Sequence, residues 1–229
     1  MVAGKCATLL WFAWQNRNNK VWNNDSLHAR QIGDHAARFW CEWAATRGLL
    51  HDHEQPLSSA AAPAEQHATT WQQPPLGYLK CNVDASFYNL AGSTGWGWIL
   101  RDSNGDFKLA GTNIVNTPFS VVEGEAMALA EAMKEMLQRG LSYVVFESDS
   151  KIVVDAISSR QSCVSEFSLL ISYIQSILSL HNYFEVKYVR RQANKVAHHL
   201  ARAAFSMSRR RIYDSVPPCI DSYLNNERC

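Results

Sequence analysis

The segment LKCNVDASFY, residues 79–88, constrains the fold most strongly because it alternates between two kinds of side chain without a break. One set is apolar or small: Leu79, Cys81, Val83, Ala85 and Phe87. The other set is polar and includes Asp84 in the middle of the segment. Since successive side chains of a strand point to opposite faces of a sheet, the alternation predicts a β-strand with one buried face.

The region that follows, up to about residue 207, predicts a mixed α/β fold. TGWGWILR and DFKLAGTN flank the turn residues 102–105, which is typical of a hairpin, so three antiparallel strands come first. A helix over 122–139 follows, then the apolar strand YVVFESD, two helices, the strand FEVKYV and a last helix over 193–205. The order βββαβαβα predicts a five-stranded mixed sheet with helices on its faces.

The flanking segments carry other patterns. Residues 1–50 contain two runs of helical spacing with five tryptophans, which predicts two amphipathic helices, the second capped at Asp25 or Ser26. These helices either contribute to the core of the later domain or are left from a larger upstream domain. The predicted organisation is this helical segment at 1–50, an Ala-, Ser- and Pro-rich linker at 51–76, a domain at 77–207 and a tail at 208–229 that is first basic and then irregular.

Composition excludes several classes of protein. The chain has 229 residues, 47% hydrophobic and 19% charged, which is typical of globular proteins rather than disordered or collagen-like ones. The apolar stretch at 168–180 is interrupted by polar residues and shorter than the roughly 20 residues of a membrane span. Six scattered cysteines lack the paired spacing of zinc sites and predict reduced thiols in an intracellular protein, with nucleus and cytoplasm both open.

Three acids lie where such a fold brings its elements together. Asp84 is in mid-strand, Glu125 is in the first turns of the helix after the hairpin, and Asp149 ends the fourth strand. Clustered carboxylates repel one another unless a proton or a cation intervenes, and oxygen ligands favour Mg²⁺ or Mn²⁺, so we interpret them as a metal site for phosphoryl chemistry. The alternative is a helix cap at Asp149, a first-turn acid at Glu125 and a solvated strand residue at Asp84.

Charge is unevenly distributed along a chain whose formal net charge is only +1. Residues 79–185 hold seven basic and twelve acidic residues, whereas residues 186–213 hold eight basic residues and no acid. A basic strip next to an acidic, metal-binding centre favours a nucleic-acid partner, and a solvated helix face is the alternative. The predicted nucleic-acid contacts are Lys187, Arg190, Arg191, Asn194, Lys195 and Arg202.

Taken together, the motifs resemble type 1 ribonuclease H. LKCNVDAS, TGWGWILRDSNGDF, EAMALAEAM, VVFESDS and ANKVAHHLARAA occur in the family's order over residues 71–207. The lead-in WQQPPLGYLKCNVDAS is similar to the ribonuclease H-like domains of plant non-LTR retrotransposons and of plant genes derived from them. LLWFAWQNRNNKVW resembles the segment before this domain in those elements, which implies that residues 1–50 are a remnant of an upstream retroelement region.

The resemblance implies hydrolysis of the RNA strand of an RNA·DNA hybrid, with two metal ions held by four acids. Asp84, Glu125 and Asp149 match the first three, as catalytic residues and ligands to Mg²⁺ or Mn²⁺. His198 stands at the fourth position, where an imidazole is a poor ligand for Mg²⁺ and removes one negative charge. The GH pair that active members often have before the position of Asn194 is not in this sequence.

Three functions therefore stay open at this point. The first is a hybrid-specific endonuclease whose activity is reduced by His198. The second is a nucleic-acid-binding module of retrotransposon origin that has lost catalysis. The third is a protein–protein adaptor that uses the tryptophan-rich N-terminus.

Overall fold

The computed structural model describes residues 2–23, 26–46, 69–88, 92–159 and 165–227, which fall into two compact units. One unit comprises Met1–Ala62 and Arg160–Leu169. The other, called the sheet unit below, comprises Pro63–Ser159 and Leu170–Cys229. None of the helices in the described ranges is long and apolar enough to cross a membrane.

The N-terminal residues form the two predicted helices, α1 (Val2–Asn23) and α2 (Ala29–Thr46). Phe39 packs against Trp11 and Phe12, with ring centroids 5.9 and 5.7 Å apart. Helix α2 begins three residues after the predicted cap Ser26, because the Gln31 side chain accepts a hydrogen bond from the backbone N–H of His28. The other predicted cap, Asp25, and residues 51–68 of the predicted linker lie outside the described residues.

The sheet unit is built on a six-stranded mixed sheet in the order β5-β4-β1-β2-β3-β6. Its strands are β1 (Leu79–Tyr88), β2 (Ser93–Arg101), β3 (Phe107–Val115), β4 (Val144–Ser148), β5 (Phe184–Tyr188) and β6 (Arg211–Tyr213). Strands β4, β1 and β5 run parallel, while β2, β3 and β6 pair antiparallel. The mixed α/β class is confirmed, with one strand more than the predicted five.

The additional strand comes from the tail. The tail is predicted to be irregular after its basic part, but it forms a strand and a helix. Strand β6 pairs with residues 110–112 of β3, and a short helix follows it. Five helices accompany the sheet: α3 (Val121–Gln138), α4 (Lys151–Ser158), α5 (Glu166–Leu180), α6 (Lys195–Met207) and α7 (Asp221–Glu227). Ile220 and Leu224 in the tail pack with Ile99 and Leu200, so the tail completes a core that the preceding elements leave open.

Helices α3 and α6 cover opposite faces of the sheet. Trp96 of β2 packs with Ala128 of α3, whereas Ile99, an odd number of residues further along the same strand, packs with Leu200 of α6. Side chains an odd number of residues apart in a strand point to opposite faces, so the two contacts define two layers. Ser120 begins α3 with a capping box, in which its side chain and that of Glu123 bond to each other's backbone N–H.

The prediction that β1 has one buried face is wrong, because both faces are covered. Lys80, Asn82 and Asp84, on the polar side of the strand, are all at most 6% exposed. Helix α6 covers part of this side. The lead-in to β1 covers another part, since the indole N–H of Trp71 donates to the Asn82 side chain at 2.9 Å. The last part of the predicted linker therefore packs on the domain.

Two glycines in TGWGW let α6 approach β2 closely. A Cβ atom at Gly97 would lie 2.4 Å from the backbone nitrogen of Ala201 and 2.6 Å from the backbone carbonyl carbon of Leu200. Helix backbone cannot move aside as a flexible side chain can. A Cβ atom at Gly95 would instead meet the methyl group of Ala204 at 3.1 Å.

We therefore expect Gly97→Ala to lower the free energy of unfolding by about 1–3 kcal/mol, because overpacking forces α6 away from the sheet. Gly95→Ala is the matched control on the same strand and should cost clearly less. Urea unfolding followed by far-UV circular dichroism measures both. Equal stability of the two variants would contradict the close packing described here.

Candidate metal centre

The end of the β1–β4 pairing brings two acids together. The parallel register runs from Leu79 opposite Val144 to Val83 opposite Ser148, and there it stops. Asp84 is the next residue of β1, and Asp149 directly follows the last residue of β4, so the two acids lie just beyond the last pair. Asp84 itself stays in β1, which goes on pairing with β2 on its other side.

Helix α3 supplies the third acid. Glu125 lies one turn after the capped start of α3, and its side chain is buried rather than solvated. One carboxylate oxygen from each of Asp84, Glu125 and Asp149 lies within 4.8 Å of the other two. These three residues are called the acidic cluster below, and they are the three catalytic and metal-ligating residues that the sequence predicted.

The alternative explanations of the three acids do not fit their contacts. Ser150 is the N-cap residue of α4, and it makes no side-chain capping hydrogen bond, so Asp149 is not the cap of this helix. Glu123, not Glu125, forms the capping box of α3. Asp84 is fully buried and not a solvated strand residue.

Burial and mutual repulsion make Asp84 and Glu125 hard to ionise. Burial, opposed by the hydrogen bond from His198 and assisted by the charge of Asp149, raises the pKa of Asp84 to about 6. Burial, followed by the charges of Asp84 and Asp149, raises the pKa of Glu125 well above its ordinary value. Groups with such shifts are typical of functional sites.

The arrangement fits a divalent cation. Asp84 Oδ1 and Glu125 Oε2 are buried and accept no hydrogen bond from the described residues. Buried carboxylate oxygens are normally bonded, so two such atoms in one cluster suggest that another group satisfies them. An all-oxygen set of this charge suits Mg²⁺ or Mn²⁺.

His198 lies beside the acidic cluster, at the position of the expected fourth acid. Its Nδ1 is 2.8 Å from Asp84 Oδ2, and one Arg191 guanidinium nitrogen lies 3.1 Å from Nδ1 and 3.2 Å from Nε2. Because a carboxylate accepts and a guanidinium only donates, a neutral ring with its proton on Nδ1 satisfies both partners. Metal ligation by His198 stays a prediction, since the group of ligand atoms found among the described residues consists of the three carboxylates.

The six predicted nucleic-acid contacts comprise five exposed residues and one buried residue. Lys187, Arg190, Arg191, Lys195 and Arg202 are exposed and are called the basic patch below. Arg191 lies at the acidic cluster itself, 3.4 Å from Asp149 Oδ2. Asn194 is 1% exposed, and its amide nitrogen donates to the carbonyl of Val83 at 2.8 Å and to Asp149 Oδ1 at 3.3 Å. Its contacts therefore favour a role in orienting Asp149.

The sequence prediction missed a second set of polar residues directly below the acidic cluster. Asn82 and Glu147 lie two residues before Asp84 and Asp149 in their strands, and both are buried. The signal was present in the alternation of LKCNVDAS and in VVFESDS. The polar half of LKCNVDAS predicts a solvated face, because polar side chains in a strand usually mark one.

Comparison with known proteins agrees with this geometry. The model of the family described as reverse transcriptase-like matches residues 82–204, more than half of the chain. An Arabidopsis thaliana protein named "Putative ribonuclease H protein" is 23% identical over 222 residues, which make up 96% of this chain and 35% of that protein. The chain thus spans little more than a third of the length of this relative.

Two solved structures are each similar to the chain over 57% of its length. RNase H1 from the halophilic archaeon Halobacterium salinarum NRC-1 gives a TM-score of 0.52 at 18% identity and covers 57% of this chain and 99% of its own. LC11-RNase H1, isolated from compost and solved in complex with an RNA/DNA hybrid, gives a TM-score of 0.51 at 15% identity. This match covers 57% of this chain and 98% of the LC11-RNase H1 chain. At such identities the likeness shows the fold, which is ribonuclease H-like as predicted.

The raised pKa of Asp84 predicts how stability depends on pH. The Asp84 carboxyl group holds its proton more tightly in the folded than in the unfolded chain. The folded protein therefore loses stability as pH rises from the ordinary pKa of 3.8 to the raised pKa of about 6. With a metal chelator present, Asp84→Asn should therefore be more stable than the wild type above that range, by about 1–3 kcal/mol.

Urea unfolding at a series of pH values between about 4 and 8 tests this expectation. The stability difference between Asp84→Asn and the wild type should grow up to about pH 6 and then level off. Asp155→Asn, which removes an exposed acid of α4, is the control and should show no such trend. A difference that shrinks as pH rises would contradict the electrostatic account of the cluster.

Proposed function

The chain belongs to the reverse transcriptase-like family, and from this premise we propose that its sheet unit is a metal-dependent endonuclease for the RNA strand of RNA·DNA hybrids. The observation that carries the proposal is the convergence of three carboxylates within 4.8 Å at the end of the β1–β4 pairing. The domain takes in the predicted range 77–207, with the lead-in and tail that pack on it. Residues 1–50 are then the upstream remnant of a plant retroelement.

The proposal assigns one role to the acidic cluster and another to Asn194 beside it. Asp84, Glu125 and Asp149 would hold Mg²⁺ or Mn²⁺ through their oxygens, and Asn194 orients Asp149. A bound divalent cation supplies charge that stabilises the attacking and leaving oxygens of an in-line displacement. In the reaction a water molecule gives up a proton to solvent as its oxygen bonds to phosphorus, the bond from phosphorus to the leaving ribose oxygen breaks, and that oxygen takes up a proton from solvent.

The basic patch supports a nucleic-acid substrate. Its five side chains are exposed and belong to β5, to the turn after it and to α6, the elements that flank His198 and Asn194. Lys187 is partly neutralised by Glu185 at 2.8 Å. Contacts between such cations and phosphates position a duplex without reading its sequence. The hybrid in the LC11-RNase H1 complex supports the choice of substrate class.

A cleavage assay on an RNA·DNA hybrid with a labelled RNA strand tests this function, in Mn²⁺ and in Mg²⁺. We expect cleavage of the RNA strand by the wild type and a loss of about a hundredfold or more in Asp84→Asn, since metal-held charge is worth several kcal/mol in the transition state. Asp155→Asn should cleave as the wild type does. Equal background cleavage by the wild type and Asp84→Asn would exclude the enzymatic function.

Contacts of the acidic cluster also support a second candidate, a nucleic-acid-binding module that has lost catalysis. His198 bonds to Asp84, and Arg191 lies against Asp149, so two of the three acids already have a nitrogen partner. Donors of this kind compete with a cation for the same oxygens. In this candidate the basic patch still binds nucleic acid while the cluster has become a structural polar site.

Restoring the fourth acid separates the two candidates. We expect His198→Asp to increase Mg²⁺-dependent cleavage by about tenfold or more, because it replaces a competing donor with a carboxylate ligand. His199→Asp adds the same charge beside Tyr223, on which His199 stacks at 3.6 Å, and serves as the control. No gain in His198→Asp, with binding of the hybrid retained, would favour the module without catalysis.

A further inference from the structure

A bridge between two buried side chains joins β1 to β4 directly below the acidic cluster. Asn82 and Glu147 face each other in the parallel register. The Asn82 amide nitrogen donates to Glu147 Oε2 at 2.9 Å. Both residues precede a cluster acid by two positions, so they share its face of the sheet and lie about 7 Å along the strands from it.

The bridge is held from both sides by other buried groups. The side-chain oxygen of Asn82 accepts from Trp71 Nε1 and from a guanidinium nitrogen of Arg101, each at 2.9 Å. The other oxygen of Glu147 pairs with Lys80 at 2.5 Å. Lys80, Asn82, Arg101 and Glu147 are each at most 6% exposed, and they are called the polar layer below.

Two segments outside the matched range 82–204 secure the polar layer. In the lead-in, Trp71 stacks under the Arg101 guanidinium at 3.6 Å, and the carbonyl of Gln72 accepts from Lys80 at 2.7 Å. In α7, Glu227 pairs with Arg101 at 2.5 Å. The side chains of the layer are thus held in place by two separate parts of the chain outside that range.

Stability alone does not explain such a layer. Replacing a buried ion pair by apolar side chains of similar volume is often neutral or stabilising. What a buried polar contact does supply is register, since its partners are costly to bury unpaired. Register is decisive here, because a slip of one residue between β1 and β4 would turn Asp84 or Asp149 to the other face.

We propose that Asn82 and Glu147 are positioning residues, whose bridge fixes the separation of Asp84 and Asp149 and thereby the affinity of the acidic cluster for a divalent cation. The inference rests on the proposed metal-dependent function. It assigns no contact with substrate or metal to the two residues. It also gives a function to the lead-in and to α7, which keep the bridge in place.

Binding of Mn²⁺ alone to the full chain, measured by calorimetry, tests this inference without an activity assay. We expect Asn82→Leu to weaken Mn²⁺ binding by about tenfold, the effect typical of groups that orient metal ligands. Asn113→Leu is the matched control, because the Asn113 amide also donates to a carboxylate, Glu131 of α3, at 2.8 Å on the other face of the sheet. It should bind Mn²⁺ as the wild type does, whatever stability it loses.

A donor–acceptor swap covers the case in which Asn82→Leu does not fold. Asn82→Asp alone sets two carboxylates against each other, whereas Asn82→Asp with Glu147→Gln restores a hydrogen bond of opposite direction at unchanged net charge. We expect the single variant to bind Mn²⁺ more weakly and the double variant to regain most of the affinity. A role in global stability alone would not produce this rescue.

The outcomes separate this inference from the proposed function. Wild-type affinity in a folded Asn82→Leu, or a double variant no better than Asn82→Asp, would overturn the positioning role while Mn²⁺ binding itself stands. Lack of Mn²⁺ binding by the wild type, equal to that of Asp84→Asn, would overturn both.

Discussion

The convergence of three carboxylates, two of them buried and one partly buried, is the constraint on which the rest of the sheet unit depends. The oxygens of Asp84, Glu125 and Asp149 meet within 4.8 Å at the place where β1 and β4 cease to pair. Ionised carboxylates out of water repel one another and lose hydration, so a proton, a cation or a donor must compensate each charge. This requirement explains why nitrogen donors surround the cluster.

The compensation comes mainly from one short segment that follows β5 and runs into the first turn of α6. Arg191, Asn194 and His198 all lie within eight residues, and each has a nitrogen at Asp84 or Asp149. The N-terminus of α6 carries the positive end of the helix dipole and begins beside Asn194. An imidazole in place of a fourth acid lowers the negative charge to be buried, and it lowers the attraction for a cation by the same electrostatics. The close approach of α6 to Gly97 keeps these donors within reach.

The sequence was sufficient for the element order and for the three acids, because both follow from local periodicity and from where strands end. It was insufficient to predict the burial of the polar layer. Lys80, Asn82 and Asp84 form an ordinary alternating pattern, and only tertiary packing reveals that Trp71 and α6 cover them. The tail was misjudged for a similar reason, since three residues of β6 and seven of α7 are too short to give a periodic signal.

These misjudged segments explain why the domain extends beyond the range matched by its family. Ile220 and Leu224 share a core with Ile99 and Leu200, and Arg101 has partners in both the lead-in and α7. Arg101 lies on β2 and bonds to Asn82 of β1, so the two outer segments act on the central strand that carries Asp84. A long-range requirement of this kind leaves no local trace in the sequence. The separation of two acids at the end of β1 and β4 thus depends on residues at both ends of the sheet unit.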